Sequence, residues 1–540
     1  MRSKILGIVV LAICIIIFSS CQFLPHKHEF GEWYVAIAPT CEEAGVEMKE
    51  CSCGEAEERA IAALGHSFGE WTVTSEATCT EGGIETKECS CGKTEERAIN
   101  AKGHNPGDWV ENAGGTRRDI ICSDCKEILK SETLGLDITG GVVNGLGSCS
   151  ELEIYIPETH DGMAVTEIKA SAFKGNSSII SVVIPKSVNK VGDSAFMNCS
   201  TLDTVEIDSR IIGASCFEGC ANLVNLTLGE SVSTIGISAF KGCSLVREVK
   251  IPDSVTMIRE NTFQSCSNLQ KIDLGNGVNI ICDYAFKDCA SLYDITLLEV
   301  TSSVGKYSFA GCKALTSLDA FKNIVKMDVN AFQGSGLTGI VIPEKVTAIG
   351  DYAFEGCSNA TSVTLHDKVI SLGAYSFANC TNILSLELTS GITTVGSYAF
   401  SGCTGLTSLT IPGNIKVISD HMFFNCQYLV NLTLEEGVSS IGIAAFNGCK
   451  SLSNIAPLPS SLTTIEEYSF GGCTALTRIF LPATITTMGQ HVFYDNSSII
   501  LNCEAAEKPE GWSSQWNYYY VKAYQPSGIN QNVVWGYTED

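Results

Sequence analysis

Residues 395–412 read VGSYAFSGCTGLTSLTIP, and most of the chain is built from variants of this stretch. Leu406, Leu409 and Ile411 alternate with polar residues up to Pro412, the pattern of a half-buried strand. The same places recur as Leu269/Ile272/Leu274, Leu292/Ile295/Leu297, Leu337/Ile340/Ile342, Leu429/Leu432/Leu434 and Leu476/Ile479/Leu481. A second apolar pair ends on glycine, as in Val346/Ile349-Gly350 and Val438/Ile441-Gly442. Glycine there predicts a tight or positive-φ turn, and the Ala-Phe stretch after it predicts one short helical turn.

The marker is Ala-Phe-x-x-Cys. Fifteen phenylalanines from Phe173 to Phe493 recur every 23 residues, with single intervals of 21, 22 and 24. One such unit cannot bury its own apolar face, whereas stacked copies share a continuous core and pair their strands in parallel. At about 4.8 Å per strand, fifteen turns extend on the order of 70 Å. These residues resemble the BspA-like class of leucine-rich repeats, found on bacterial surface proteins and some protist ones, over about residues 150–500. The resemblance implies an α/β repeat solenoid: a right-handed leucine-rich-repeat array of about 15 repeats, with parallel strands and short helical turns. It also implies a surface binding role.

Twelve cysteines, from Cys199 to Cys473, stand three residues after a marker phenylalanine and are expected to align in one column. Ser335 interrupts the column, and Asn176 and Asn496 replace cysteine in the outermost units. Adjacent members fall within disulfide reach, but each has two equal neighbours. The column therefore reads as small buried thiols with a weak S–H donor. Nothing basic recurs beside them to promote redox chemistry.

Residues 26–130 carry another repeat, of period 38. His28, His66 and His104 are each followed five residues later by tryptophan (Trp33, Trp71 and Trp109). The first copy adds Cys41, Cys51 and Cys53, and the second adds Cys79, Cys89 and Cys91. In the third, Arg117 stands at the first cysteine's place and Cys122-Ser-Asp-Cys125 replaces Cys-Ser-Cys. Three thiolates and an imidazole per unit are the donor set of a structural zinc site, and a unit of about 38 residues needs such a staple. Disulfides with cross-copy pairing, or unligated thiols, are the alternatives; Cys-x-Cys is a less usual chelate spacing, and an exported protein meets oxidants. Each cysteine triplet has a histidine on either side. The preceding one uses all three histidines and is the assignment made here.

At the N-terminus Arg2 and Lys4 precede an apolar run from Ile5 to Phe18, followed by Ser19, Ser20 and Cys21. This resembles a bacterial lipoprotein signal, cleaved before Cys21, whose thiol is then lipidated; Phe18 departs from the usual leucine. The resulting division is 1–20 signal peptide, 21–130 Cys/His-rich stalk, 131–164 cap or linker, 165–500 solenoid and 501–540 C-terminal cap. The last is rich in tryptophan (Trp512, Trp516, Trp535).

A formal net charge of −25 with no Lys/Arg cluster argues against nucleic acid as a partner. Gly92-Lys93-Thr94 ends like a phosphate-binding loop, but Lys87 occupies the place of the required glycine. No His-Glu-x-x-His or Gly-x-Ser-x-Gly motif occurs. Cys122/Cys125 as a dithiol pair lacks the βαβ context that redox chemistry needs. His160, His366, His421 and His491 read as solvated loop residues at different repeat phases. Residues breaking the pattern are Leu298–Val304, Phe321–Asp328 and Pro457–Ser461. The expectation is a non-enzymatic, lipid-anchored cell-surface scaffold for an extracellular protein or glycan, its Ser/Thr-rich strand face (Thr227, Thr296, Ser317, Ser385, Ser408, Thr410, Thr433) making the contact. A structural or self-assembling envelope protein is the alternative, and a polysaccharide-active enzyme the third.

Overall fold

The computed structural model describes residues 27–297, 301–519, 528–529 and 532–538. The signal segment, Cys21 and the first part of Leu298–Val304 lie outside the described residues. Two compact units divide the chain: 1–108 with 121–129, and 109–120 with 130–540.

The first unit is made of antiparallel hairpin modules. Tyr34–Ile37, Gly45–Glu50 and Ala56–Ile61 form one three-stranded sheet, and Thr72–Ser75, Gly83–Glu88 and Thr94–Ile99 form its copy. A third sheet of Pro106–Glu111, Arg117–Cys122 and Ile128–Thr133 is shared out between the units. So little apolar area is available that cations pack on the tryptophans: the Arg59 guanidinium lies 4.4 Å from the Trp33 ring and Arg97 4.4 Å from Trp71.

In the second unit each coil supplies two strands to two parallel ladders. In the first ladder Ser408–Ile411 pairs with Asn431–Leu434, residue 408 facing 431, so the register equals the repeat period. Leu409 and Ile411 are buried while Ser408 and Thr410 are exposed, as alternation requires. The second apolar pair, expected only to precede a turn, makes the other ladder: Ala348–Ile349 pairs with Ser371–Leu372, which pairs with Thr394–Val395. Parallel pairing already includes Val142–Gly145 and Glu153–Tyr155, and antiparallel Asp137–Thr139 closes that end.

The marker segments form stacked turns rather than helical ones; the one helix among the described residues is the 3₁₀ turn Asp319–Phe321. The reason is backbone handedness. Two residues before every one of the fifteen phenylalanines, φ lies between 50° and 61° at a non-glycine residue, and two residues after it φ is again positive. Left-handed residues so spaced prevent consecutive helical bonds. Instead Ala353, Glu355 and Cys357 close i→i−3 turns, while the alternate amides of Tyr352, Phe354 and Gly356 donate to Ala374, Ser376 and Ala378 in the next coil.

Gly350 and Gly442 open the expected tight turns, bonded by the Ala353 and Ala445 amides, but neither is in the left-handed region. A Cβ at Gly396, the equivalent place one repeat further on from Gly373, would lie 2.3 Å from the Ala374 amide nitrogen, and one at Gly350 2.7 Å from the Asp328 carbonyl carbon. Close approach of consecutive coils, not φ, excludes a side chain there.

The core is a column of rings. Consecutive marker phenylalanines stack from Phe173 to Phe493, for example Phe354–Phe377 at 5.3 Å and Phe377–Phe400 at 5.4 Å between centroids. Phe321, one of the pattern-breaking residues, is buried edge-on between Phe309 and Phe332 and is therefore structural. The tail extends the ladder with Ile500–Cys503 and Val533–Trp535. Buried Trp516 meets Phe493 edge-on, and buried Trp512 donates its indole N–H to the Ile485 carbonyl at 2.9 Å. These two tryptophans cover the end of the core.

Candidate metal centres and the repeat face

The Cys-Ser-Cys-Gly segment is the hairpin loop between the second and third strands of each module. The Cys51 amide bonds the Glu55 carbonyl, the Gly54 amide bonds Cys51, and Gly54 takes φ 92°. In the third module the loop is one residue longer and Lys126, at φ 65°, takes glycine's role. Both cysteines of each pair are thereby held at one hairpin tip.

The first cysteine of each module points elsewhere. Thr40 caps its turn by accepting the Glu43 amide at 2.9 Å, and the chain leaving the third strand returns to this turn, Leu64 N–H bonding the Thr40 carbonyl. In the second module Lys102 and Gly103 return likewise to Thr78 and Cys79. The next histidine is thus delivered to the preceding module's cysteine.

Two four-residue clusters result: Cys41, His66, Cys89 and Cys91, and Cys79, His104, Cys122 and Cys125, with their donor atoms all within 4.8 Å of one another. His28, Cys51 and Cys53 form a group of three. The cysteine pairs thus sit with the preceding histidine, as assigned from sequence. Cys41 and Cys79 do not; each joins the module that follows. The missing cysteine at Arg117 was the signal for this, since the last copy has no successor to serve.

The Cys41 and Cys89 sulfurs are 3.8 Å apart, as are those of Cys79 and Cys122. His66 Nδ1 lies 3.3 Å from Cys91 Sγ, and His104 Nδ1 3.5 Å from Cys125 Sγ. On the far side of the rings, His66 Nε2 is 3.2 Å from Glu42 Oε1 and His104 Nε2 3.6 Å from Glu127 Oε2. The Cys91 backbone N–H lowers the Cys89 thiol to about 6, and that of Cys125 does the same for Cys122. Cys41 is pushed up to about 11 by its hydrogen bond to Cys91, and Cys79 to about 11 by desolvation.

In the solenoid the cysteine column is one of free, buried thiols. Each donates its S–H to the carbonyl of the previous coil's marker phenylalanine, as Cys403 does to Phe377 at 3.2 Å and Cys426 to Phe400 at 3.3 Å. Asn496 makes the same bond to Phe470 through its amide at 2.7 Å, which explains asparagine at that end. Burial pushes Cys266 up to about 12 and Cys357 to about 11.

His421 and His491 are not at scattered phases: both stand two residues before a marker phenylalanine. They prolong half-buried stacks of tyrosines at that position, Tyr352–Tyr375 at 4.7 Å, Tyr375–Tyr398 at 4.5 Å, Tyr398–His421 at 4.3 Å and Tyr468–His491 at 5.1 Å. Of the strand-face residues, Thr227, Thr296, Ser385, Ser408 and Thr410 are exposed, and Ser317 and Thr433 partly so. Pro457 and Leu458 line a cleft of about 120 Å³ with Phe480, Pro482, Glu504 and Tyr537.

Parallel coils of one period, stacked on a phenylalanine column, define a leucine-rich-repeat protein. The repeat described as the BspA type leucine rich repeat region matches over residues 148–270, 210–338, 325–453 and 393–506, and the chain belongs to this family. No curated relative matches. Among solved structures, a leucine-rich repeat protein from Bacteroides ovatus is 22% identical, with 70% of this chain and 94% of that chain covered and a TM-score of 0.44. A leucine rich cell surface protein from Faecalibacterium prausnitzii is 24% identical, covering 65% of this chain and 95% of that one at a TM-score of 0.36. A leucine-rich repeat protein from Eubacterium ventriosum is 19% identical over 75% of this chain and 98% of that one, at a TM-score of 0.38.

Proposed function

We propose that this chain is a lipid-anchored, cell-surface recognition scaffold that holds an extended extracellular protein or glycan along its first strand ladder. The observation that carries the reading is the outward row of that ladder. Ser408 and Thr410 are exposed on a strand in register with its neighbours, so hydroxyl and amide side chains repeat at strand spacing along one face. A periodic row of this kind suits many weak contacts with a long ligand. Cys21 supplies the anchor and the hairpin modules a spacer between anchor and solenoid. Immobilised protein is tested against matrix proteins and a glycan array, with Ser408→Arg/Thr410→Arg as the control. Binding abolished by the double substitution is expected, and uniformly absent binding contradicts the reading. Palmitate labelling that survives Cys21→Ala contradicts the anchor.

A further inference from the structure

We propose that each four-residue cluster in the N-terminal modules binds one zinc ion, and that these ions link modules in series. The sites are Cys41/His66/Cys89/Cys91 and Cys79/His104/Cys122/Cys125.

The distances fit a metal rather than a bridge. Zinc–sulfur bonds of about 2.3 Å in a tetrahedron put the sulfurs about 3.8 Å apart, and sulfur and imidazole nitrogen about 3.6 Å apart. The observed sulfur pairs are both at 3.8 Å, and the nitrogen–sulfur pairs at 3.3 and 3.5 Å. A disulfide needs about 2.05 Å and leaves the third cysteine and the histidine with no role. The imidazoles are aimed for ligation as well. With Glu42 accepting the Nε2 proton of His66, the neutral ring turns a bare Nδ1 lone pair toward the sulfurs, the carboxylate–histidine arrangement that orients metal ligands. His104 has Glu127 at 3.6 Å from its Nε2, outside hydrogen-bond reach, so the arrangement is complete at the first cluster. Three thiolates and one neutral imidazole select zinc over the hard cations, and the thiol protons still held leave when the ion binds.

The linkage follows from which modules donate. Cys41 belongs to the turn of the first hairpin sheet, Cys89 and Cys91 to the loop of the second, and His66 to the segment between them. Cys79 and Cys122/Cys125 repeat the arrangement one module on. A module's first cysteine thus serves its successor, which makes the array extensible by whole modules and accounts for Arg117 in the last. A spacer with few buried apolar residues gains its rigidity at the junctions.

The test uses the full chain, purified under reducing conditions without metal and titrated with Co²⁺ as a spectroscopic stand-in for Zn²⁺. Thiolate charge-transfer absorption and the intense visible bands of tetrahedral Co²⁺ are expected, bleached by added Zn²⁺. Cys41→Ser and Cys79→Ser are each expected to remove one tightly bound equivalent, and Cys41→His, which puts a nitrogen donor in place of the thiolate, to regain it. Octahedral Co²⁺ spectra, or Cys41→Ser and Cys79→Ser proteins with the parent's stoichiometry and spectrum, overturn the proposal. So does recovery of the unreduced chain with Cys41–Cys89 or Cys79–Cys122 disulfides by peptide mass. None of these readouts depends on the ligand of the solenoid.

Discussion

The sulfurs of Cys41 and Cys89 meet at 3.8 Å across 48 residues of chain, although both belong to small sheets that are complete in themselves. Contacts within a module fix its hairpins; this contact fixes one module to the next. It makes the histidine's outer partner consequential. Glu42→Ala is expected to weaken zinc at the first cluster by about 10-fold or more, since orienting carboxylates contribute on that scale. The second cluster, which Glu42 does not touch, keeps its affinity and serves as the control in a competition titration against a chelator.

The two aromatic columns of the solenoid differ in what they contribute. Phe377 is fully buried between Phe354 and Phe400, so Phe377→Ala is expected to cost about 3–5 kcal/mol in a urea melt. Tyr375 is stacked just as closely but sits at φ 54°. Glycine there relieves about 1–2 kcal/mol of left-handed strain while losing ring contacts of about 0.5–1.5 kcal/mol each. Tyr375→Gly should therefore fall between about 1 kcal/mol more stable and about 2 kcal/mol less stable than the parent, short of the loss at Phe377.

Thiol reactivity should map the structure. Cys266 is pushed up to about 12 and is buried, and Cys403 and Cys426 are likewise raised well above the ordinary value by burial. Iodoacetamide at pH 8 is expected to spare these in the native chain and to label exposed Cys91 and Cys125 when metal is absent. Adding Zn²⁺ should protect Cys91 and Cys125 together with the other cysteines of the two clusters and leave the solenoid thiols unchanged, read by peptide mass spectrometry.

His421 offers a pH prediction. Desolvation lowers it from the ordinary 6.5, and Asp420 opposes that shift. Between the lowered folded value and 6.5 the unfolded chain holds a proton that the native ring does not, so stability is present above 6.5 and declines as pH falls through this window. Asp420→Asn keeps an acceptor for the Ile443 amide and should lower the NMR-observed titration of His421 further.

How far the sequence was legible follows from what each residue answers to. Alternation at Leu406, Leu409 and Ile411 states burial directly, and the strand lies where alternation puts it. The left-handed position is hard to read because Ser, Asn, Tyr, His and Ala all occupy it, and the bonds that hold it come from the next coil, as from the Tyr352 amide to the Ala374 carbonyl. A positive φ at the glycine before the marker stretch is not found for a related reason: the group that excludes a side chain at Gly396 belongs to another coil. In the modules, the donor types were visible but their grouping was not, because period 38 places Cys41 with His28 in sequence while the returning chain places it with His66 in space. Arg117 at the first cysteine's place and the shared phase of His421 and His491 are the sequence signals of the module grouping and of the tyrosine stacks.

Anomalous diffraction at the zinc edge, on crystals of the full chain grown with Zn²⁺, tests the junction account most directly. It predicts one peak about 2.3 Å from the sulfurs of Cys41, Cys89 and Cys91 and about 2.0 Å from His66 Nδ1, and a second in the same relation to Cys79, Cys122, Cys125 and His104. Absence of peaks at these positions, with continuous density joining Cys41 to Cys89, would contradict it.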